Sequence, residues 1–266
     1  MMKDNKLRRL LNEKHPSVAT RIWTTQPFFT ECLGASGNFD YMEFVAEYTP
    51  FDQRDLETLA MAAELHNMGS MIKIDFQNRG YVAQKAVAAG FQAVLFTDCR
   101  NADEVRESIT MVKPETAQDG GSFGYPIRRF IGYQPRIPQL DHAARLRDVV
   151  IAFMVEKHMA MENIEAICAV PGVDMLQFGG SDYSLSRGWN AKDHPDEVKE
   201  AQKKMIEVAL KHGVQPRCEI QSVNDAQYYI GLGVRHFCLG DQFVQMQTFW
   251  SQEGGAMRKV ADSLKE

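Results

Sequence analysis

The sequence is poor in the features that mark several large classes of protein. Cysteine is scarce: Cys32, Cys99, Cys168, Cys218 and Cys238 are the only five in 266 residues, and none forms a Cys-x-x-Cys pair. An odd number of scattered thiols argues against a disulfide framework or a clustered zinc site, and fits reduced, mostly buried side chains in a cytoplasmic protein. No apolar run nears the roughly 20 residues that cross a bilayer. The opening residues, MMKDNKLRRLLNEKHP, are charged throughout and lack the apolar centre of a secretory signal. Positive charge is not in excess. The net charge of −5 argues against nucleic acid as the main partner, so any bound anion must rely on local cations. Internal repeats, low-complexity tracts and linker-like stretches are also missing. One domain over residues 1–266 is therefore expected, and a hydrophobic content of 44% suffices for its core.

What is present is a regular alternation of short apolar runs and longer amphipathic stretches. The runs Val18–Thr25, Tyr41–Glu47, Met71–Phe76, Ala93–Asp98, Val149–Glu156, Met175–Gly180, Arg217–Gln221 and His236–Gly240 read as strands from their β-branched and aromatic content. Helical patterns lie between them, among them Phe51–Asn67, Tyr81–Ala89, Ala102–Val112 and Glu197–Lys211. Asp52 and Asn101 suit N-caps, and Gly90 and Gly213 suit helix stops. Strands separated by helices pair in parallel, and eight such units in this length predict a closed (β/α)₈ barrel. An open doubly wound sheet is the alternative, but no Gly-rich nucleotide turn follows the first strand. Lys113–Asp148 breaks the rhythm with a long connection rich in glycine, proline and aromatics. Counted from the fourth strand, it is expected over the catalytic mouth, as a lid or a subunit contact.

In a barrel, polar residues at the C-terminal ends of separate strands converge. Glu47, Lys73, Asp98, Glu156, Asp182 and Asp241 all stand at or near such ends. Glu156 and Asp182, from adjacent strands, suit a hard divalent cation, since magnesium takes one or two protein carboxylates and completes its shell with water and substrate oxygens. The plainer alternative is a pair of solvated loop carboxylates. Gly179 and Gly180 just before Asp182 allow backbone to approach a ligand closely; a structural turn explains them equally.

Four segments together resemble the HpcH/HpaI aldolase/citrate lyase family. PGVDMLQFGGSDYS is similar to the family's PGVDxxFxGPxDLS, and MVEKHMAMENIEAI to its QIET-type strand and following helix. GNFDYMEFVAEYTP resembles GFDWxxxDxEHxP, and FTDCRNADEVRE resembles PxVxNADExRE. The resemblance implies a (β/α)₈ barrel, a hexamer with an exchanged C-terminal helix, and metal-dependent cleavage of 4-hydroxy-2-oxo acids to pyruvate and an aldehyde. It assigns Glu156 and Asp182 to a divalent metal, Mg²⁺ or Mn²⁺ with Co²⁺ as a further option. Backbone N–H groups from Gly180, Ser181 and Asp182 are assigned to the pyruvate carboxylate, and Trp23 to the pocket wall, although barrel packing accounts for a tryptophan as well.

The departures from the pattern are chemical. Tyr48 stands where the family has its catalytic histidine, Val45 where it has the aspartate that orients that histidine, Lys73 where it has a third-strand arginine, and Gly180 where it has proline. Tyr48 is then either a proton carrier, provided a neighbouring cation such as Lys73 or the metal depresses its pKa, a hydrogen-bond donor to a developing alkoxide, or a packing or substrate-contact residue. Lys73 is either an ammonium replacing the arginine, a Schiff-base amine, or the partner of a carboxylate such as Asp75 or Glu47. Arg128, Arg129 and Arg136 in the long connection offer either an anion clamp or plain ion pairs. His158, just beyond Glu156, is a candidate displaced base. The expectation is a metal-dependent carbon–carbon lyase acting on a 2-oxo acid with altered acid/base residues. A decarboxylase, a citrate-forming enzyme or a non-catalytic oxo-acid-binding barrel is the alternative. Apolar residues in Phe243–Trp250 point to a homo-oligomer.

Overall fold

The computed structural model describes residues 4–265. Eight parallel strands close into a barrel in chain order: β1 (Ser17–Ile22), β2 (Tyr41–Val45), β3 (Gly69–Ile74), β4 (Ala93–Phe96), β5 (Val150–Val155), β6 (Met175–Phe178), β7 (Gln215–Ile220) and β8 (His236–Asp241). β1 pairs with both β2 and β8, so the sheet has no free edge. The expected strands are all present, most of them ending one to three residues earlier than predicted. Glu47, Glu156 and Trp23 thus sit just past strand ends, where side chains turn towards the mouth.

The helices follow their local signals. Asp52 caps Gln53–Leu65 in a capping box with Asp55, and Asn101 accepts from the N–H groups of Asp103 and Glu104 at the start of Ala102–Val112. Gly90 ends Arg79–Ala89 in the left-handed conformation that a C-terminal stop requires. The main core lies between barrel and helices and includes Phe44, Leu59, Ile72, Phe96, Phe153 and Ile206. A second apolar layer fills the lower barrel, where Tyr41, Met71, Leu95, Ala152 and Met175 meet Leu7. Leu7 belongs to a helix, Lys6–Asn12, which the charged opening residues did not announce. Its cap, Asn5, donates to the carbonyls of Gln92 (2.7 Å) and Asp148 (2.8 Å), and Arg8 pairs with Asp174 at 2.6 Å, sealing the N-terminal end of the barrel.

The long connection is not a lid. It begins after the helix that follows β4, hence at the opposite end of the barrel from the mouth, and packs along the outer flank. Phe123, Ile131 and Ile137 are buried. Arg128 and Arg129 form ion pairs with Glu57 and Glu64, and Arg136 is exposed, so none of the three forms an anion clamp over the site. At the other end of the chain, Gln242–Ser263 runs on as a helical arm with a π-helical turn at Trp250–Gly254 and no buried residue in these helices. Phe243, Phe249, Trp250, Met257 and Val260 are more than half exposed along it. No helix is long and apolar enough to cross a membrane among the described residues.

Candidate active site

The strand ends surround a cavity of about 410 Å³ at the C-terminal face. Of the residues singled out from the sequence, Trp23, Tyr48, Lys73, Glu156, Gly180, Ser181 and Asp182 line it, whereas Glu47, Asp98 and Asp241 stand outside its lining. Glu156 follows β5 and is buried to 2% exposure; burial pushes its pKa up to about 7, partly offset by Lys73. Its Oε1 accepts from the backbone N–H of Asp98 at 3.1 Å. The space beside it is available because residue 179 is glycine: a Cβ there would lie 2.7 Å from the Cβ and Oε2 of Glu156. Gly180 opens the short helix Gly180–Ser186, which carries Asp182 in its first turn.

Lys73, projecting from β3, pairs with Glu47 at 2.5 Å. Asp75 accepts instead from Asn78, so Glu47 is the partner. Burial works against the Lys73 charge, but Glu156 and Glu47 outweigh it and hold the pKa above the ordinary lysine value. Lys73 is therefore an ammonium, which removes the unprotonated amine that a Schiff base needs. Tyr48 stacks on Trp23 (ring centroids 6.2 Å apart, planes within 8°), and the Lys73 ammonium stands 5.7 Å from its ring centre. Lys73 by itself does not depress the phenol. Burial first, then the negative charges of Glu47, Asp182 and Glu156, push its pKa up. These surroundings favour the protonated phenol. Val45 lines the same cavity and offers no hydrogen-bonding group. His158 faces elsewhere, against Arg187 (3.0 Å) and Glu162 (3.4 Å) in an outer groove, so it is not a displaced base.

Sequence reasoning missed a charged column beneath the mouth. Arg217 and Glu43, both fully buried, pair at 2.6 Å inside the barrel, with Tyr41 accepting from Arg217 Nε at 2.7 Å. Above them Arg21 donates to Glu219 (2.7 Å) and Asp241 (2.9 Å), and both Arg21 and Glu219 line the cavity. The signal was there in VATRI, YMEFV and PRCEI, where charges of both signs interrupt apolar strands at inward positions. Lys157, beside Glu156, was likewise overlooked; its ammonium lies 2.7 Å from Asp98 and 3.9 Å from Asp182.

A divalent cation fits this donor set. Among the described residues no group of three or more His, Cys, Asp and Glu side chains converges as a metal cluster. Two carboxylates suffice for magnesium or manganese when water and substrate oxygens complete the shell. A buried carboxyl at pKa about 7 is the group whose charge such a cation would stabilise.

A barrel with these polar strand ends defines an α/β enzyme fold with its site at the C-terminal face. The sequence profile of the HpcH/HpaI aldolase/citrate lyase family matches residues 53–238, and the chain belongs to that family. It is 24% identical over 264 residues to a 5-keto-4-deoxy-D-glucarate aldolase of Klebsiella pneumoniae subsp. pneumoniae, covering 98% of this chain and 97% of the relative. It is also 24% identical over 238 residues to a 4-hydroxy-2-oxo-heptane-1,7-dioate aldolase of Shigella sonnei, covering 89% and 88%. Among solved structures, macrophomate synthase superposes with a TM-score of 0.85 at 20% identity, covering 98% of this chain and 92% of that one. A citrate synthase superposes with a TM-score of 0.83 at 19% identity, covering 97% and 100%. At these identities the structural likeness speaks for the fold alone.

Proposed function

We propose that this aldolase-family protein is a divalent-metal-dependent carbon–carbon lyase acting on a 2-oxo acid through a pyruvate-like enolate, with an acid/base set of its own. One observation carries the reading. Around the mouth, Glu47, Asp98, Glu219 and Asp241 each have a cationic side chain within 2.9 Å, whereas Asp182 has none closer than 3.9 Å and Glu156 takes part in no ion pair among the described residues. Of the three carboxylates lining the cavity, Glu156 and Asp182 are the two without a cation in hydrogen-bonding contact, and these are the ones that would hold a metal. Glu156 and Asp182 would hold magnesium, manganese or cobalt, which would supply Lewis-acid polarisation of the 2-oxo carbonyl.

The chain's own residues supply the rest. Lys73, kept charged and held by Glu47, places a positive charge where negative charge builds on the substrate, without the flat two-pronged geometry of arginine. Tyr48, protonated, would donate to the alkoxide that forms in the condensation direction or to the enolate left by cleavage or loss of CO₂. Trp23 and Tyr48 form an aromatic wall, and the backbone at Gly180 and Ser181 leaves room for the substrate carboxylate to approach. The raised phenol of Tyr48 favours a second reading, in which the enolate arises by loss of CO₂ from a 3-carboxylated 2-oxo acid or is consumed in a citrate-forming condensation. A third, non-catalytic reading keeps the oxo-acid site for binding alone.

Exchange of the methyl protons of pyruvate in deuterated buffer separates these readings. Metal-dependent exchange, abolished by chelator and by Glu156→Ala or Asp182→Ala, is expected for either enzyme, and product analysis then tells cleavage from decarboxylation. Full activity of both variants in chelator would refute the metal assignment. The exposed apolar arm and the family resemblance also lead us to propose a homohexamer; a monomeric mass by light scattering at micromolar concentration would refute it.

A further inference from the structure

Two charged residues that do not line the cavity stand directly behind the paired carboxylates. Lys157 follows Glu156 in sequence, and its ammonium lies between Asp98 Oδ1 (2.7 Å) and Asp182 Oδ1 (3.9 Å). Asp98 holds a left-handed backbone conformation (φ 60°), which non-glycine residues adopt at a cost and keep where the surroundings require it. That conformation aims its N–H at Glu156 Oε1, 3.1 Å away, and carries its side chain to Lys157. Asp98 therefore touches both halves of the site, Glu156 through its backbone and Asp182 through Lys157.

We propose that Lys157 is a resident counter-ion competing with the divalent cation for Asp182, and that Asp98 draws it aside, so that this pair sets the metal affinity of the site. The inference rests on the reading of Glu156 and Asp182 as metal ligands. Lys157 and the cation carry charge of the same sign and approach the same carboxylate. The ammonium sits nearer Asp98 than Asp182, which leaves Asp182 free to turn to the cation. With Asp98 uncharged, Asp182 becomes the remaining close anion for Lys157. A unit charge about 4 Å from a ligand oxygen, partly screened by solvent, alters divalent affinity by about an order of magnitude. Both residues act through Asp182 and Glu156 and are positioning residues.

The two single substitutions have opposite expected signs, which a purely structural role does not produce. Mn²⁺ affinity would be measured by calorimetric titration at fixed ionic strength on the full chain, alongside its melting temperature. Lys157→Met should bind Mn²⁺ about tenfold more tightly than the unmodified protein, with Lys157→Gln as a second variant should the first fail to fold. Asp98→Asn, which keeps the backbone N–H and tolerates the left-handed conformation, should bind it several-fold more weakly. Weaker or unchanged binding in the lysine variants, or unchanged or tighter binding in Asp98→Asn, overturns the proposal. Glu156→Gln separates the two levels. If it abolishes binding while the lysine variants do not tighten it, the metal reading stands and the counter-ion falls; if it leaves binding intact, both fall.

Discussion

Gly179→Ala is the smallest change that should disable the site. The backbone of Gly179 (φ −106°, ψ 85°) is open to any residue, so alanine brings no conformational strain there. The added methyl would instead lie 2.7 Å from both Cβ and Oε2 of Glu156 and 3.0 Å from Cε of Met154. Methionine can yield, but Glu156 cannot easily do so: its other oxygen is tied to Asp98, and its side chain is buried. Overpacking of this kind costs about 1–3 kcal/mol. At about 2–4 °C per kcal/mol for a chain of this size, the melting temperature should fall by roughly 2–12 °C. The functional loss should be larger, since displacing a catalytic group by about 1 Å costs of order 10²-fold. Thermal melts, Mn²⁺ titration and pyruvate proton exchange would be run beside Gly254→Ala, where a Cβ meets nothing within 4 Å. A Gly179→Ala protein with unaltered metal affinity and exchange rate would show that the position of Glu156 is not what the site depends on.

Other outcomes follow from the same contacts. Arg217→Met leaves Glu43 buried and unpaired, a loss of about 3–5 kcal/mol that should lower the melting temperature by about 6–20 °C, and Arg217→Met with Glu43→Leu should recover most of it. Without metal, Glu156 binds its proton more tightly in the folded state than in the unfolded one, so its contribution to stability is present below the ordinary glutamate range and is lost as pH rises to about 7. That contribution is worth ~3 kcal/mol at most, and Glu156→Gln should flatten this part of a melting curve measured against pH. Metal affinity should run the other way, weakening as pH falls through about 7, as calorimetry can test. Val45→Asp with Tyr48→His should raise retro-aldol turnover of 4-hydroxy-2-oxo acids towards the 10²–10⁴-fold that a general base contributes; unchanged turnover would mean that the missing base is not what limits the reaction.

The barrel was legible because its signals are local and repeated: apolar strand runs recur eight times, helical patterns such as those capped by Asp52 and Asn101 separate them, and closure follows from the number of strands. The mouth was legible for a similar reason, since residues just past strand ends must converge, and Trp23, Tyr48, Lys73, Glu156 and Asp182 do line one cavity. What was misread depended on pairing or on direction. The connection after Val112 was counted from β4 rather than from the helix that follows it, which placed it at the wrong end of the barrel. The sequence reading of Tyr48 considers only cations, Lys73 or the metal, whereas three carboxylates also act on its phenol. The partnership of Asp98 with Lys157, 59 residues apart in sequence, depends on a backbone conformation at Asp98 that no residue type there announces.

The protonation states at the mouth also limit the direction of the chemistry. Tyr48 and Lys73 occupy the places of the family's histidine and arginine, and both are held in their protonated forms. Protonated groups can steady an enolate or deliver a proton to an alkoxide. They cannot take the hydroxyl proton whose removal starts retro-aldol cleavage of a 4-hydroxy-2-oxo acid. Loss of CO₂ from a 3-carboxylated 2-oxo acid requires no such acceptor, because the leaving carboxylate carries the charge into the enolate. Condensation of that enolate with a carbonyl requires a donor, which Tyr48 provides. Cleavage would need a carboxylate at the mouth as base, yet Glu219 in the cavity lining and Glu47 outside it are already engaged with Arg21 and Lys73. The second reading proposed above, in which the enolate arises by loss of CO₂ or is consumed in a condensation, rests on this difference, and product analysis with a 3-carboxylated 2-oxo acid tests it.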